Sequence, residues 1–441
     1  MFPVIALIGK PNSGKSSLFN RLVGRRLAIT SEYAGTTRDR VLELIEFDNR
    51  KAILCDTAGL DIGIDKEDEL ESNIQKQTYL AVEEADVVLF VIDASVPLTA
   101  DDYAAAELLR SQNKKVILVA NKCDRSVSEQ YYYDLFQLGF DEPLKVSAIQ
   151  KKGIEELYGA VKKSVRDLNY RTDESFDNSI SVAFLGRPNV GKSSLLNKLL
   201  NEEKVIVSNV SGTTRDSVSL PFEYEGDAYR LIDTAGIRRA KKRHEEFLER
   251  LSVMRSLKAL SMADVAICVF DATEEPAKQD LRVCDFILQA HKGLVIVINK
   301  ADLVKPQQKN RIVGLLQARL GFAKFAPLVF VSAKTGTNVF QILSLAKEIS
   351  NRRRQKFKTR ELNLLLQKIL VEHPLPADAK IKYISQVDVN PPSFLVSCND
   401  ESKIHFSYRR YIENQLRDTY DLIGTPLKFD YKSTRRDRPL T

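Results

Sequence analysis

Short runs of consecutive apolar residues recur along the chain, separated by stretches in which apolar residues return every three or four positions. The runs at 4–8, 52–55, 87–92, 116–120 and 144–146 have the length of strands buried on both faces, and 16–23 and 103–110 read as helices between them. That alternation predicts an open, mainly parallel α/β sheet with helices on both faces. Residues 41–47, the turn Asp48-Asn49 and 52–55 read as a hairpin, which puts one antiparallel strand at a sheet edge. The scheme then starts again, with strands at 182–185, 218–224, 229–232, 265–270, 295–298 and 328–331. Beyond the basic run Arg352-Arg353-Arg354 the order becomes helix 361–371, strand 380–387, strand 393–398, helix 407–420 and strand 426–431, a small α+β module. Three domains are therefore expected at 1–166, 179–351 and 352–441, with the polar segment 167–178 as an exposed linker that lets its neighbours move.

The two α/β domains carry the same chemistry. Gly9-Lys10-Pro11-Asn12-Ser13-Gly14-Lys15-Ser16 recurs as Gly186-Arg187-Pro188-Asn189-Val190-Gly191-Lys192-Ser193, both of the phosphate-binding form G-x-x-x-x-G-K-[ST]. A glycine-rich turn between strand and helix lets backbone N–H groups converge on phosphates at the positive end of the helix. Lys15 and Lys192 are placed to reach the β- and γ-phosphates, Ser16 and Ser193 to offer a hydroxyl to Mg²⁺, and Ser17 and Ser194 complete the phosphate-binding set. Asp56 and Asp233 each end an apolar strand and open Asp-Thr-Ala-Gly, where a carboxylate can hold Mg²⁺ through water and Gly59 or Gly236 can meet the γ-phosphate through its N–H. In Gly35-Thr36-Thr37-Arg38-Asp39 and Gly212-Thr213-Thr214-Arg215-Asp216, Thr37 and Thr214 are the candidate second hydroxyl ligands of Mg²⁺. The loop, Thr-Thr-Arg-Asp and Asp-Thr-Ala-Gly all repeat at an offset of 177 residues, so the domain is duplicated and two nucleotides are expected to bind at once.

Asn121-Lys122-Cys123-Asp124 and Asn299-Lys300-Ala301-Asp302 each follow an apolar strand. An aspartate there accepts N1–H and the exocyclic amine of guanine, whereas adenine would leave it without donors, which points to GTP over ATP. Ser147-Ala148 and Ser332-Ala333, after the last strand of each domain, would close the pocket with backbone N–H groups toward the guanine oxygen.

Composition adds constraints. The net charge of +7 is unevenly held: residues 351–441 contain 18 Lys and Arg against 11 Asp and Glu, which accounts for all of the excess. An anionic partner such as RNA would select that bias, and a solvated surface would show it too. Five scattered cysteines without a C-x-x-C pair read as small buried hydrophobes of a reducing compartment, Cys123 included. The N-terminus lacks a basic region and reads as a buried strand rather than a signal peptide, and no apolar run approaches membrane-spanning length, so a soluble cytoplasmic protein without a membrane role is expected.

With these motifs in this order twice, the sequence closely resembles the translation-factor class of P-loop GTPases, and within it the double-Era-like (Der or EngA) family, whose signature is two tandem G domains followed by a KH-like domain. The resemblance covers essentially the whole chain, with a slight departure at Ala34, where a proline is common. It implies a GTPase that binds GTP and GDP with Mg²⁺, acts as a monomer in assembly of the large ribosomal subunit, and meets rRNA and ribosomal proteins of that subunit or its precursor.

Leu60 and Ile237 follow the D-x-x-G motifs where a Ras-like scheme has a water-orienting Gln, so unaided turnover should be slow and another element must supply charge. The resemblance implies a K⁺ ion at Asn12 and Asn189; a hydrogen bond of each Asn to its own loop is the alternative. The segments that follow differ in sign. Asp61, Asp65, Glu67, Asp68, Glu69 and Glu71 make the first acidic, whereas Arg238, Arg239, Lys241, Lys242 and Arg243 make the second basic, either to dock on an anionic face or as a solvated loop. The third module has one glycine, Gly424, and cannot form the G-x-x-G clamp of an RNA-reading KH domain. It is expected to pack on the G domains, with Arg352 to Arg354 and Arg435, Arg436 and Arg438 as rRNA contacts or solvated tails.

Overall fold

An unbroken apolar strand is stable in a sheet only where other elements cover both of its faces, and all five residues of the first strand are buried. The computed structural model describes residues 1–24, 42–47, 50–57, 81–125, 127–168, 179–201, 205–207, 219–232 and 245–433. The first domain runs β1 (Val4–Ile8), α1 (Lys15–Gly24), β2 (Leu42–Phe47), β3 (Arg50–Asp56), β4 (Val87–Asp93), α2 (Ala100–Ser111), β5 (Lys115–Asn121), α3 (Ser128–Tyr132), β6 (Leu144–Lys145) and α4 (Ile154–Asp167). Its sheet has the order β2-β3-β1-β4-β5-β6, parallel except for β2, which pairs antiparallel with β3 at the edge as the hairpin pattern predicts. Leu18, Phe19, Leu22 and Val23 of α1 and Leu157, Val161 and Val165 of α4 are the helix faces that bury against it. Each such side chain, fully buried, contributes about 1.5–3 kcal/mol.

The second domain repeats the plan with β7 (Ile180–Leu185), α5 (Lys192–Leu200), β8 (Val205–Val207), β9 (Ser219–Tyr224), β10 (Asp227–Ile232), α6 (Glu245–Met262), β11 (Val265–Asp271), α7 (Lys278–Gln289), β12 (Gly293–Asn299), α8 (Pro306–Arg319), β13 (Leu328–Phe330) and α9 (Gln341–Arg353). Its sheet order is β13-β12-β11-β7-β10-β9-β8, with β8 an extra antiparallel edge strand that the sequence pattern does not reveal. The third domain is α10 (Thr359–Glu372), β14 (Ile381–Val389), β15 (Pro392–Cys398), α11 (Phe406–Thr419) and β16 (Lys428–Ser433), in the predicted order of types. Here β15 pairs antiparallel with β14 and parallel with β16 over one core containing Leu366, Ile384, Phe394 and Ile412. The fold is α/β throughout the two large sheets and α+β in the small one.

The described residues divide into two compact units, one holding the first sheet together with α6 up to Ser261, the other holding the second and third sheets. Within the first unit, Arg255 and Lys258 of α6 donate to the side chain and backbone carbonyl of Glu84, both at 2.8 Å.

Within the second unit, the third domain is docked on the second. Arg353, at the end of α9, is 2% exposed and donates to the side-chain oxygen of Asn390 at 3.0 Å and to the carbonyl of His291 at 2.8 Å. Burial pushes its pKa down to about 10, which still leaves the guanidinium charged at neutrality. Arg352 pairs with Asp421 at 2.8 Å and with Glu348 at 3.0 Å, and Arg354 lies 3.8 Å from Asp264. The expected exposure of this arginine run to RNA is thus overturned for Arg353, because the packing of the two domains encloses it. Arg435, Arg436 and Arg438 lie outside the described residues. The Gly424 amide donates to the Phe325 carbonyl at 2.7 Å, and its own carbonyl accepts from Leu294 at 2.9 Å. Its φ is +67°, and a Cβ there would sit 2.3 Å from Cδ1 of Ile349.

Gly424→Val should therefore destabilise the second unit by about 2–4 kcal/mol, combining left-handed strain with overpacking. Denaturant unfolding of the full chain reads this as a lower midpoint, and an unchanged midpoint would contradict the interface described.

Candidate nucleotide sites

In an open parallel sheet, ligands meet the crevice at the C-terminal ends of the strands where the connections reverse direction. Here that point is the end of β1, with β3 on one side and β4 on the other, and the corresponding end of β7 between β10 and β11. Each phosphate-binding loop leaves its strand at this point and turns into α1 or α5. The turn needs glycine: Gly14 and Gly191 have φ of +91° and +94°, and a Cβ on either would lie 2.1 or 2.2 Å from the side-chain nitrogen of Asn121 or Asn299.

Those two asparagines hold the sites together. Asn121 donates its amide to the Ser13 carbonyl at 2.8 Å and accepts from the Ala148 amide at 3.2 Å. Asn299 does the same with the Val190 carbonyl at 2.9 Å and the Ala333 amide at 3.1 Å. One buried carboxamide thus joins the phosphate loop to the last loop of its domain. The amides of Ser147 and Ser332 likewise have protein acceptors, the carbonyls of Lys152 at 3.0 Å and Thr337 at 3.1 Å. What these loops do in the structure is position Asn and Asp side chains.

Asp124 and Asp302 have carboxyls held below their ordinary range by neighbouring hydroxyls. The Ser147 hydroxyl lowers the pKa of the Asp124 carboxyl, and the Ser332 hydroxyl, 2.6 Å from Asp302 Oδ1, does so for its counterpart. The ionised form is the one that accepts two hydrogen bonds from a purine edge.

Lys15 is buried and donates to the carbonyls of Gly9 and Lys10, both at 2.6 Å; Lys192 donates to Gly186 at 2.7 Å and Arg187 at 2.5 Å. Asp56 ends β3 beside Leu7 of β1 and is 3% exposed, which puts a carboxylate next to the strand that feeds the first loop. A carboxylate and the exposed Ser16 hydroxyl are both hard-oxygen donors, the ligand chemistry of Mg²⁺, an ion that uses few protein ligands and fills its octahedron with phosphate and water. Asn12 and Asn189 sit on the loops with φ of 63° and exposed side chains; among the described residues neither side chain bonds to its own loop, and each carries a carbonyl oxygen suited to a monovalent cation. Thr37, Gly59, Thr214, Asp233 and Gly236 lie outside the described residues, as do the acidic and basic segments at 60–71 and 238–243.

Most of the first site's described residues line a single cleft of about 620 Å³, bounded by Pro11, Asn12, Gly14, Lys15, Ser16, Ser17, Asn121, Lys122, Asp124, Arg125, Ser147, Ala148 and Ile149; Gly9 and Asp56 are not among its lining residues. That volume suits a nucleotide-sized ligand. Residues far apart in sequence therefore share one opening, the phosphate-loop motif together with Asp124 of N-K-x-D.

Several residues at these sites escaped the motif reading. Lys10 pairs with Asp102 at 2.5 Å, and Arg187 with Asp280 at 2.8 Å and Glu274 at 3.0 Å, so the second residue of each loop is anchored to a buried acid that also accepts the Thr99 or Ala277 amide at the start of α2 or α7. Asp93 and Asp271, at the ends of β4 and β11, pair with Lys122 and Lys300. The repeat could have exposed them: Asp93 and Asp271 stand 178 residues apart, the same spacing as Asn121 and Asn299. The five cysteines are free thiols, all but Cys123 buried.

Comparison with known proteins agrees with this geometry. A family profile described as "50S ribosome-binding GTPase" matches residues 4–122 and again 181–300, and one described as "KH-domain-like of EngA bacterial GTPase enzymes, C-terminal" matches 356–432. The chain is 42% identical over 432 residues to the GTPase Der of Thermoanaerobacter pseudethanolicus, covering 96% of this chain and 97% of that one. It is 40% identical over 440 residues to the GTPase Der of Clostridium kluyveri, covering 98% and 99%.

Gly14→Ala should push a methyl group into Asn121 and reduce guanine-nucleotide affinity at the first site at least about tenfold, a steric loss of the size expected when a fixed hydrogen-bonded contact is broken. Calorimetric titration with GDP should then show two tight equivalents for the parent chain and one for the variant.

Proposed function

The chain belongs to the GTPase Der family and hydrolyses GTP, and on that premise we propose that its two sites act as a switch in assembly of the large ribosomal subunit, with Mg²⁺ at each site and K⁺ assisting hydrolysis. The observation that carries the reading is the duplicated site itself: in both halves the same asparagine joins the phosphate-loop motif to the last loop, whose serine hydroxyl bonds the aspartate we assign to guanine. The description of the family profile supports the large subunit as partner, and the basic balance of residues 351–441 supports an rRNA component beside ribosomal proteins. Among the described residues no helix is long and apolar enough to cross a membrane. The setting proposed with this reading is a monomer in the cytoplasm.

Lys15 and Lys192 would meet the β- and γ-phosphates, shifting from the loop carbonyls they now bond. Ser16, Thr37 and Asp56 in the first site, and Ser193, Thr214 and Asp233 in the second, are the residues we assign to Mg²⁺, which when bound neutralises charge on the transferring phosphoryl group. Gly59 and Gly236 would report the γ-phosphate through their amides. Leu60 and Ile237 cannot orient water, so stabilisation of the developing charge falls to the loop, where Asn12 and Asn189 would hold K⁺ in the place an arginine finger takes elsewhere.

Two measurements test this. GTP turnover should be at least about tenfold faster in potassium than in sodium, the scale of a single charge-stabilising contact; equal rates would remove the ion from the mechanism. Cosedimentation with large-subunit precursors should depend on whether GDP, a GTP analogue or no nucleotide is present, and Lys15→Ala and Lys192→Ala should each abolish part of that dependence. Association indifferent to nucleotide would replace the switch with a scaffold.

A further inference from the structure

The lysine in the base-reading motif has no partner predicted by the motif, yet in both domains the structure fixes its ammonium to the same acid. Lys122 Nζ lies 2.5 Å from Asp93 Oδ2, and Lys300 makes the equivalent bond to Asp271 Oδ2. The other carboxylate oxygen is occupied as well. Asp93 Oδ1 accepts from the amide and hydroxyl of Ser95 at 3.0 and 2.6 Å, and Asp271 Oδ1 from those of Thr273 at 2.8 and 2.7 Å. The carboxylate is therefore locked in rotation with one oxygen aimed at the lysine.

Strand pairing sets the distance. Asp93 is the register partner of Asn121 and Asp271 that of Asn299, and the next amide in each case, Ala94 or Ala272, donates to the asparagine carbonyl at 2.9 Å. The lysine that follows has a left-handed backbone, φ of 65° at Lys122 and 61° at Lys300, a conformation non-glycine residues adopt only when their surroundings enforce it. Burial raises the pKa of Asp93 and Asp271, but the hydrogen bonds from Lys122 and Ser95, or Lys300 and Thr273, outweigh it and hold both carboxyls below their ordinary range. Lys122 lines the cleft beside Asn121 and Asp124. An untethered ammonium there would be drawn toward nucleotide phosphate or toward Asp124 itself, both of which compete with base recognition.

We propose that Asp93 and Asp271 are positioning residues for guanine-nucleotide recognition: each carboxylate pins the ammonium of Lys122 or Lys300, so that the lysine stem stands as a fixed wall of the purine slot and Asp124 or Asp302 stays available to the base. The inference rests on assigning residues 121–124 and 299–302 to the base.

The test uses the full chain, calorimetric titration with GDP, and steady-state GTP turnover. In Asp93→Asn one of the two GDP equivalents should weaken about tenfold, the scale expected for losing a charge-assisted hydrogen bond. KM should rise with it while kcat at saturating GTP stays within about twofold, because the pair contributes to binding in ground and transition states alike. Lys122→Met should weaken the same equivalent, and Asp93→Asn combined with Lys122→Met should bind no more weakly than Lys122→Met alone, since the acid acts through the lysine. Full additivity in the double variant, or a fall in kcat with KM unmoved, would overturn the proposal. Weakening by Lys122→Met but not by Asp93→Asn would overturn the pinning role and leave the base-site assignment standing; no effect of Lys122→Met would overturn both. Asp271→Asn offers the same measurement on an independent copy if Asp93→Asn does not fold, and failure of both to fold would assign the pair to the scaffold and sink the idea.

Discussion

A purine nucleotide is longer than any loop that grips it, so phosphate and base must be held by separate segments kept at a fixed separation. In each G domain that constraint rests on a single buried carboxamide. Asn121 and Asn299 end the strand next to the central ones and reach across to a phosphate-loop carbonyl with one atom and to the amide of the last loop with the other. A side chain with one donor and one acceptor at fixed geometry is suited to this, and a carboxylate or an aliphatic group of the same size would leave at least one buried backbone group unsatisfied. The glycines at positions 14 and 191 follow from the same contact, since the carboxamide nitrogen occupies the space a Cβ would need.

The two domains solve the surrounding problem with the same layout and different residues. The loop is anchored by a lysine in one and an arginine in the other, each on an acid that also caps the following helix. Arg187 engages a second acid, Glu274, because its planar fork can divide its donors between two carboxylates, whereas an ammonium acts as a point charge. Ser13 and Val190 occupy equivalent places and both offer only the backbone carbonyl to the asparagine, so the side chain there is free to differ. Duplication conserved the contacts that set distances and relaxed those that do not.

The third domain is held in another manner. Its contact with the second domain joins a fully enclosed guanidinium, a backbone exchange through Gly424, and Arg417 stacked 3.9 Å from the Phe325 ring. Removing an acceptor while Arg353 stays enclosed would leave a buried charge short of partners, so Asn390 and the His291 carbonyl are what make its burial tolerable. The basic surplus of the C-terminal region is accordingly not all outward facing.

Much of the fold was written locally. Apolar runs of strand length, the edge hairpin at 41–55, the order of helices and strands in the small domain, and the duplicated order of the motifs are decided by neighbouring residues and by a period of repetition, so the chain alone determined them. Tertiary structure decided whatever depends on two distant segments meeting. Arg353 reads as part of a charged surface run and is buried because a separate domain closes over it. Strand β8 is three residues long, too short to leave a periodic signature, and exists because β9 offers it an edge. The bond between Asp93 and Lys122 spans 29 residues and arises from parallel pairing of β4 with β5. The reason is the same in each case: hydrophobic periodicity records which way a residue faces, whereas the identity of what it faces is set by sheet register and domain packing, which no local pattern encodes.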